Sequence, residues 1–157
     1  MTTLPWRISV IGAGQCGPDT AAVAERLGGL ITGRGWWLVC GGLSGVMLAA
    51  CRGAKAAGGL TMGILPGLDM TAGNQFVDIP VVTGLGHMRN YLVVRNGHVC
   101  VAVAGGAGTL SEIALALKSE MPVVAIGRYA DLAGVHRADS PEQAVETAAA
   151  LLESAKN

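Results

Sequence analysis

The residues best placed to do chemistry lie in the stretch Val99–Lys118, VCVAVAGGAGTLSEIALALK. A short apolar run of Val and Ala predicts a strand buried on both faces. Gly105, Gly106 and Gly108 follow it, and Thr109 opens an apolar-periodic segment read as a helix. Glycines in such a turn let a ligand approach the main chain closely. The free N–H groups and positive dipole end of the next helix make it an anion site, most often for phosphate. No P-loop lysine follows, so this is not a Walker-type triphosphatase. Thr109 and Glu112 have the Thr-x-x-Glu spacing of a capping box, with Thr109 at the N-cap and Glu112 reaching back. A second reading stands beside it. A carboxylate repels phosphate, so Glu112 could instead face sugar hydroxyls or a developing positive charge.

Two more glycine turns follow short strands. Gly12, Gly14 and Gly17 match G-x-G-x-x-G after Arg7–Ile11, ahead of a helix read over Asp19–Leu30. The dinucleotide reading of that pattern needs an acidic residue closing the second strand, to hold a ribose. The second strand, Trp36–Cys40, runs into Gly41 and Gly42 instead, which argues against NAD. Gly41-Gly42-Leu43-Ser44-Gly45 then feeds a helix at Val46–Ala57. Ser44 and Ser111 lack the G-x-S-x-G setting of a hydrolase nucleophile. His87, His98 and His136 show no base–nucleophile pairing; His87 lies beside Arg89, within reach of a ligand.

The elements that would position these turns alternate strand and helix. Further strands are expected at Leu60–Leu65, Val77–Val82, Pro122–Ile126 and Val135–Ala138, with a loop at 67–76. Pro80 places the fourth strand near an edge. A helix runs from about Met88 to Asn96. Ser140, Pro141 and Gln143 form an N-terminal helix signal for a last helix to about Ala155. The pattern predicts one α/β domain over residues 1–157, an open, doubly wound, mostly parallel Rossmann-like sheet. Ligands of such sheets bind outside the carboxyl ends of the strands. The turns at Gly12, Gly41, Met88–Asn90 and Gly105 should therefore collect on one edge.

Composition bounds the function. The formal net charge is +0 and aromatics make up 4%. No basic stripe or stacking platform is present, which excludes nucleic acid and anionic membrane as expected partners. Hydrophobic residues are 51% and charged residues 14%, so a homodimer or higher homo-oligomer is expected. Its interface should lie along Met88–Asn96 and Thr109–Lys118. Cys16, Cys40, Cys51 and Cys100 form no C-x-x-C pair and no metal-ligand spacing. They read as reduced thiols of a cytoplasmic protein; Cys16 and Cys40, in glycine turns, are the two that could react. The first residues lack a signal-peptide core, and no run is of membrane length.

Ala104-Gly-Gly-Ala-Gly-Thr-Leu-Ser-Glu112 resembles the P-G-G-x-G-T-x-x-E motif of the Lonely Guy proteins, and Met88-Arg89-Asn90 matches the position of their upstream arginine. Gly41-Gly42-Leu43-Ser44-Gly45-Val46-Met47 resembles their second glycine-rich turn, so the resemblance spans about residues 7–153. That family cleaves the N-glycosidic bond of cytokinin nucleoside 5′-monophosphates. Ala104 replaces the motif proline and Asn90 the usual lysine. The chain is in this respect more similar to a sister group, the molybdenum-cofactor carrier proteins. They share the Rossmann-like fold and are thought to hold a phosphorylated pterin without cleaving it.

The resemblance implies two functions. In a carrier, Gly105, Gly106, Gly108 and Thr109 would hold the phosphate of a nucleoside monophosphate or molybdenum cofactor. Gly12, Gly14, Gly41, Gly42, Ser44, Gly45 and Asn90 would line the cleft, and Arg89 would pair with phosphate or with Glu112. In a phosphoribohydrolase, Glu112 would stabilise the ribosyl cation and orient hydroxyls or water, while Arg89 holds it ionised. Neither requires a metal or a resident cofactor.

Overall fold

The computed structural model describes residues 4–156. Seven strands occur in chain order: β1 (Arg7–Gly12), β2 (Trp37–Cys40), β3 (Thr61–Leu65), β4 (Ile79–Val82), β5 (Val99–Val103), β6 (Val123–Ile126) and β7 (His136–Ala138). Five α-helices join them: α1 (Pro18–Gly33), α2 (Val46–Ala56), α3 (Asn90–Arg95), α4 (Ala107–Lys118) and α5 (Pro141–Ser154). The sheet order is β4-β3-β2-β1-β5-β6-β7 and every pairing is parallel. The expected doubly wound α/β architecture is present, and wholly parallel.

A parallel sheet must be covered on both faces. In β1, Ile8 and Val10 pack with α1, α2 and α5, whereas Ile11 packs with α3 and α4, the two-residue alternation of a strand. All five residues of β5 are buried. On the first face, α1 and α2 touch backbone to backbone. A methyl group on Gly28 would sit 2.0 Å from the Ala50 carbonyl oxygen, and one on Gly53 would sit 1.8 Å from that of Glu25. Both positions must be glycine for the helices to cross this closely.

Strand order reverses between β1 and β5, so the binding crevice of such a fold opens beyond their carboxyl ends. Several boundaries differ from the sequence reading. β4 begins at Ile79, and it is the edge strand that Pro80 predicts. The 67–76 loop contains a 3-10 turn, Met70–Ala72, capped by Asp69. The Met88 segment divides into a 3-10 turn, Gly86–Arg89, and the short α3. Among the described residues, no helix is long and apolar enough to cross a membrane.

Candidate functional site

The largest correction falls on α4. Its N-cap is Gly106, not Thr109, and no side chain caps it. The first helical bond runs from the Leu110 N–H to the Gly106 carbonyl. Thr109 is therefore in the first turn and Glu112 in the second, and the capping box does not form. The glycines let the chain enter the helix three residues early. The amides of Ala107, Gly108 and Thr109 precede the first intrahelical bond and are left for another acceptor.

Helix caps divide by location. Helices α1, α2 and α4, which start at the glycine turns, have Gly17, Gly45 and Gly106 at the N-cap and no side-chain cap. At α5, away from that edge, the Ser140 hydroxyl accepts from the Gln143 N–H. The uncapped termini are not equivalent. Pro18 removes an amide from α1 and Asp19 adds negative charge there. The first amide of α2, Val46, donates to the Ala13 carbonyl. Of the three, the α4 terminus keeps its first amides without a side-chain cap or a proline.

Gly12, Gly14, Gly41, Arg89, Asn90, Gly106, Gly108, Thr109 and Glu112 line one cavity of about 240 Å³ beyond β1 and β5. Val10, Ile11, Ala13, Met47 and His87 complete its wall. Of these, only His87 stood out in the sequence; the others are apolar residues whose place depends on strand order. Gly42, Ser44, Gly45 and Gly105 do not line the cavity and instead shape its turns. The Ser44 hydroxyl donates to the Gly14 carbonyl at 2.7 Å, tying the α2 turn to the β1 turn. Gly105 takes φ 106°, and a methyl group there would strike the Thr109 side chain. Ala104 takes φ 53°, a left-handed conformation uncommon for a residue with a Cβ.

The turn is also held from behind. Tyr129 donates its hydroxyl to the Gly106 carbonyl at 2.9 Å, and Arg128 reaches the Gly105 carbonyl at 3.3 Å. Both follow β6, the neighbour of β5. Sequence reasoning missed them because only sheet order brings that loop to the site.

Arg89 and Asn90 are 8% and 7% exposed. The Arg89 guanidinium donates to the Asn90 side-chain oxygen and, at 3.4 Å, to the Gly41 carbonyl. A methyl group on Gly41 would lie 2.9 Å from an Arg89 nitrogen, so the arginine packs directly on the turn. Asn90 in turn donates to the Ser111 hydroxyl, which donates to the Gly108 carbonyl. This chain links the arginine to the first turns of α4. The Arg89 Nε is buried with no acceptor. Burial lowers the Arg89 pKa, and the charges of Glu112 and Cys40 partly offset that.

Glu112 is 8% exposed. Burial pushes its carboxyl up to about 7, with the Arg89 charge pulling the other way. Cys40 is fully buried with its sulfur 3.5 Å from that of Cys51. The Cys51 contact and burial push the Cys40 thiol well up, which opposes the thiolate reactivity considered for it. Among the described residues, no three His, Cys, Asp or Glu side chains cluster as a metal site.

A family model matches residues 5–154, that of the SLOG cluster4 family. The chain belongs to the SLOG cluster4 family. Solved structures similar to this SLOG cluster4 protein include a molybdenum cofactor binding protein from Rippkaea orientalis, at 40% identity and TM-score 0.91, covering 96% of this chain and 99% of that one. The Moco carrier protein of Chlamydomonas reinhardtii is 39% identical with TM-score 0.87 over the same shares. A curated relative, the cytokinin riboside 5′-monophosphate phosphoribohydrolase of Mycobacterium tuberculosis, is 30% identical over 112 residues. That match takes in 69% of this chain and 60% of the mycobacterial one. The SLOG cluster4 protein thus has both expected kinds of relative, and the cofactor-binding kind is the nearer.

Proposed function

We propose that this chain binds a phosphorylated small molecule, as a carrier of the molybdenum-cofactor type, with the phosphate on the α4 terminus beside Arg89. The uncapped α4 terminus carries this reading, because its first amides and the buried Arg89 cation line one cavity. The free amides of Ala107, Gly108 and Thr109 supply further donors. The donor set suits a phosphate monoester. Gly12, Gly14 and Gly41 would border the rest of the cargo, with Gly42, Ser44, Gly45 and Gly105 fixing the turns. Likeness to the two cofactor-binding structures supports a pterin-type cargo; a nucleoside monophosphate shares its phosphate chemistry. No resident cofactor or metal is required.

We further infer a single-domain cytoplasmic protein that works as a homodimer or higher homo-oligomer, without nucleic-acid or membrane partners. Met88, Tyr91 and Leu110 are 78%, 43% and 42% exposed. They lie on or beside α3 and α4, which pack together. This supports the expected interface.

A second reading, a nucleoside 5′-monophosphate phosphoribohydrolase, is favoured by one observation. Arg89 and Glu112 share the cavity, as an N-glycosidic cleavage would need. A Glu near neutrality could act as acid or base there. Native mass spectrometry of the purified protein, with an adenine-release assay on AMP, tests both. The carrier reading expects a bound phosphorylated compound and no adenine. Adenine release by wild type, abolished in Glu112→Gln and Arg89→Ala, would overturn it.

A further inference from the structure

We propose a second ligand site at the opposite, amino-terminal end of the sheet, for a planar aromatic ring bearing phosphate. A cleft of about 640 Å³ opens there, lined by Trp6, Arg7, Arg34, Trp36, His98 and Lys156 among others. This volume falls within the range of small-molecule sites. Aromatics are only 4% of the chain, yet two of its three tryptophans face this one cleft. Sheet register brings them together: the Trp37 N–H donates to the Trp6 carbonyl, and Trp37 pairs with Arg7. Trp36 and Trp6 each precede that pair by one residue.

The charges are of one sign. Among the described residues, Arg7, Arg34 and Lys156 line the cleft and no Asp or Glu does. Arg34 is offset in part by Glu146, which pairs with one of its guanidinium nitrogens from outside the lining. Arg34 lies 5.3 Å from the centre of the Trp36 ring and Lys156 5.7 Å from that of Trp6. Each cation is therefore already next to an aromatic face. A ring entering the cleft would meet tryptophan surface, and its phosphate would meet the cations. His98 stands edge-on to Trp6 at 4.8 Å. Its Nδ1 accepts the Arg7 N–H at 3.0 Å, which leaves Nε2–H as a donor. Burial holds the His98 pKa down, so that donor is a neutral one.

The chemistry is that of a nucleotide, and the site is independent of the carrier reading. None of the cavity residues beyond β1 and β5 is a tryptophan, so tryptophan emission reports on the second cleft. Adenosine 5′-diphosphate titrated into the wild-type protein should give saturable quenching. Half-saturation should rise about tenfold or more in Arg34→Ala/Lys156→Ala, which removes two charged partners. Inorganic pyrophosphate should compete more weakly, because it has no ring. No saturable quenching, an unchanged curve in the double variant, or pyrophosphate matching the nucleotide would each overturn the proposal. Both substituted residues are at the surface, so circular dichroism of the double variant should match that of the wild type.

Discussion

Arg89 and Glu112, each 8% exposed and lining one cavity, do not hydrogen-bond to each other: the guanidinium is taken by Asn90 and Gly41. The carboxyl is left with a nearby charge and no bonded cation. Desolvation therefore dominates its titration. An anion entering the cavity adds negative charge and favours the neutral acid further.

The first prediction concerns pH. The folded Glu112 titrates near 7 against an ordinary value of 4.5. Between those values the folded state holds more protons than the unfolded one, so stability falls as pH rises and the loss is complete above about 7. The change is about 3 kcal/mol. Glu112→Gln mimics the neutral acid. It should match wild type near pH 4 and exceed it by up to about 3 kcal/mol at pH 8. Urea melts at the two pH values check this, and equal pH slopes for the two proteins would refute it.

Ala104 gives a second prediction. Proline locks φ near −65°, far from the 53° observed here. Ala104→Pro, which restores the Lonely Guy motif residue, should cost about 3 kcal/mol or more. Ala104→Gly should be neutral or stabilising by up to about 1 kcal/mol. Denaturant midpoints of the two variants should move in opposite directions or differ by that gap.

A third prediction lies at the end of α4. The Met121 N–H bonds the Ala116 carbonyl and the Glu120 N–H bonds that of Leu117, a Schellman closure. Its left-handed residue is Glu120, at φ 57°. Glu120→Gly should stabilise by about 0.5–1 kcal/mol. Calorimetry should register a rise of about 1–4 °C in Tm.

The fourth prediction concerns assembly. Light scattering at tens of micromolar (about that order, the range in which weak association shows) should give a dimer or larger species. Tyr91→Asp should shift it toward monomer by placing a charge on the apolar face. A wild-type monomer under those conditions would refute the assembly.

Much of the architecture was legible because β1, β5 and β6 are short Val-, Ile- or Ala-rich runs with glycine or proline close to each end. The common edge of the Gly12, Gly41, Arg89 and Gly105 turns followed from parallel topology alone. At Ser140 the cap reading holds, because Pro141 fixes the first helical residue and Ser140 stays extended. At Thr109 the same pattern misleads. Glycines at 105, 106 and 108 impose no boundary, and the chain turns helical before the threonine. The support from Arg128 and Tyr129, and the cleft formed by Trp6 and Trp36, depend on which strands are neighbours. Local spacing carries no record of that.

The backbone contact of α1 with α2 through Gly28 and Gly53 has a consequence for grip. Helices that meet at carbonyl distance cannot slide past each other without losing that fit. The β1–α1 and β2–α2 turns, also joined by the Ser44–Gly14 bond, are therefore tied into one rigid jaw. A rigid jaw spends little entropy on ordering when a ligand arrives. The short turn carrying His87 and Arg89 lies outside that helix–helix fit and meets the jaw through the Gly41 carbonyl alone among its side-chain hydrogen bonds to it.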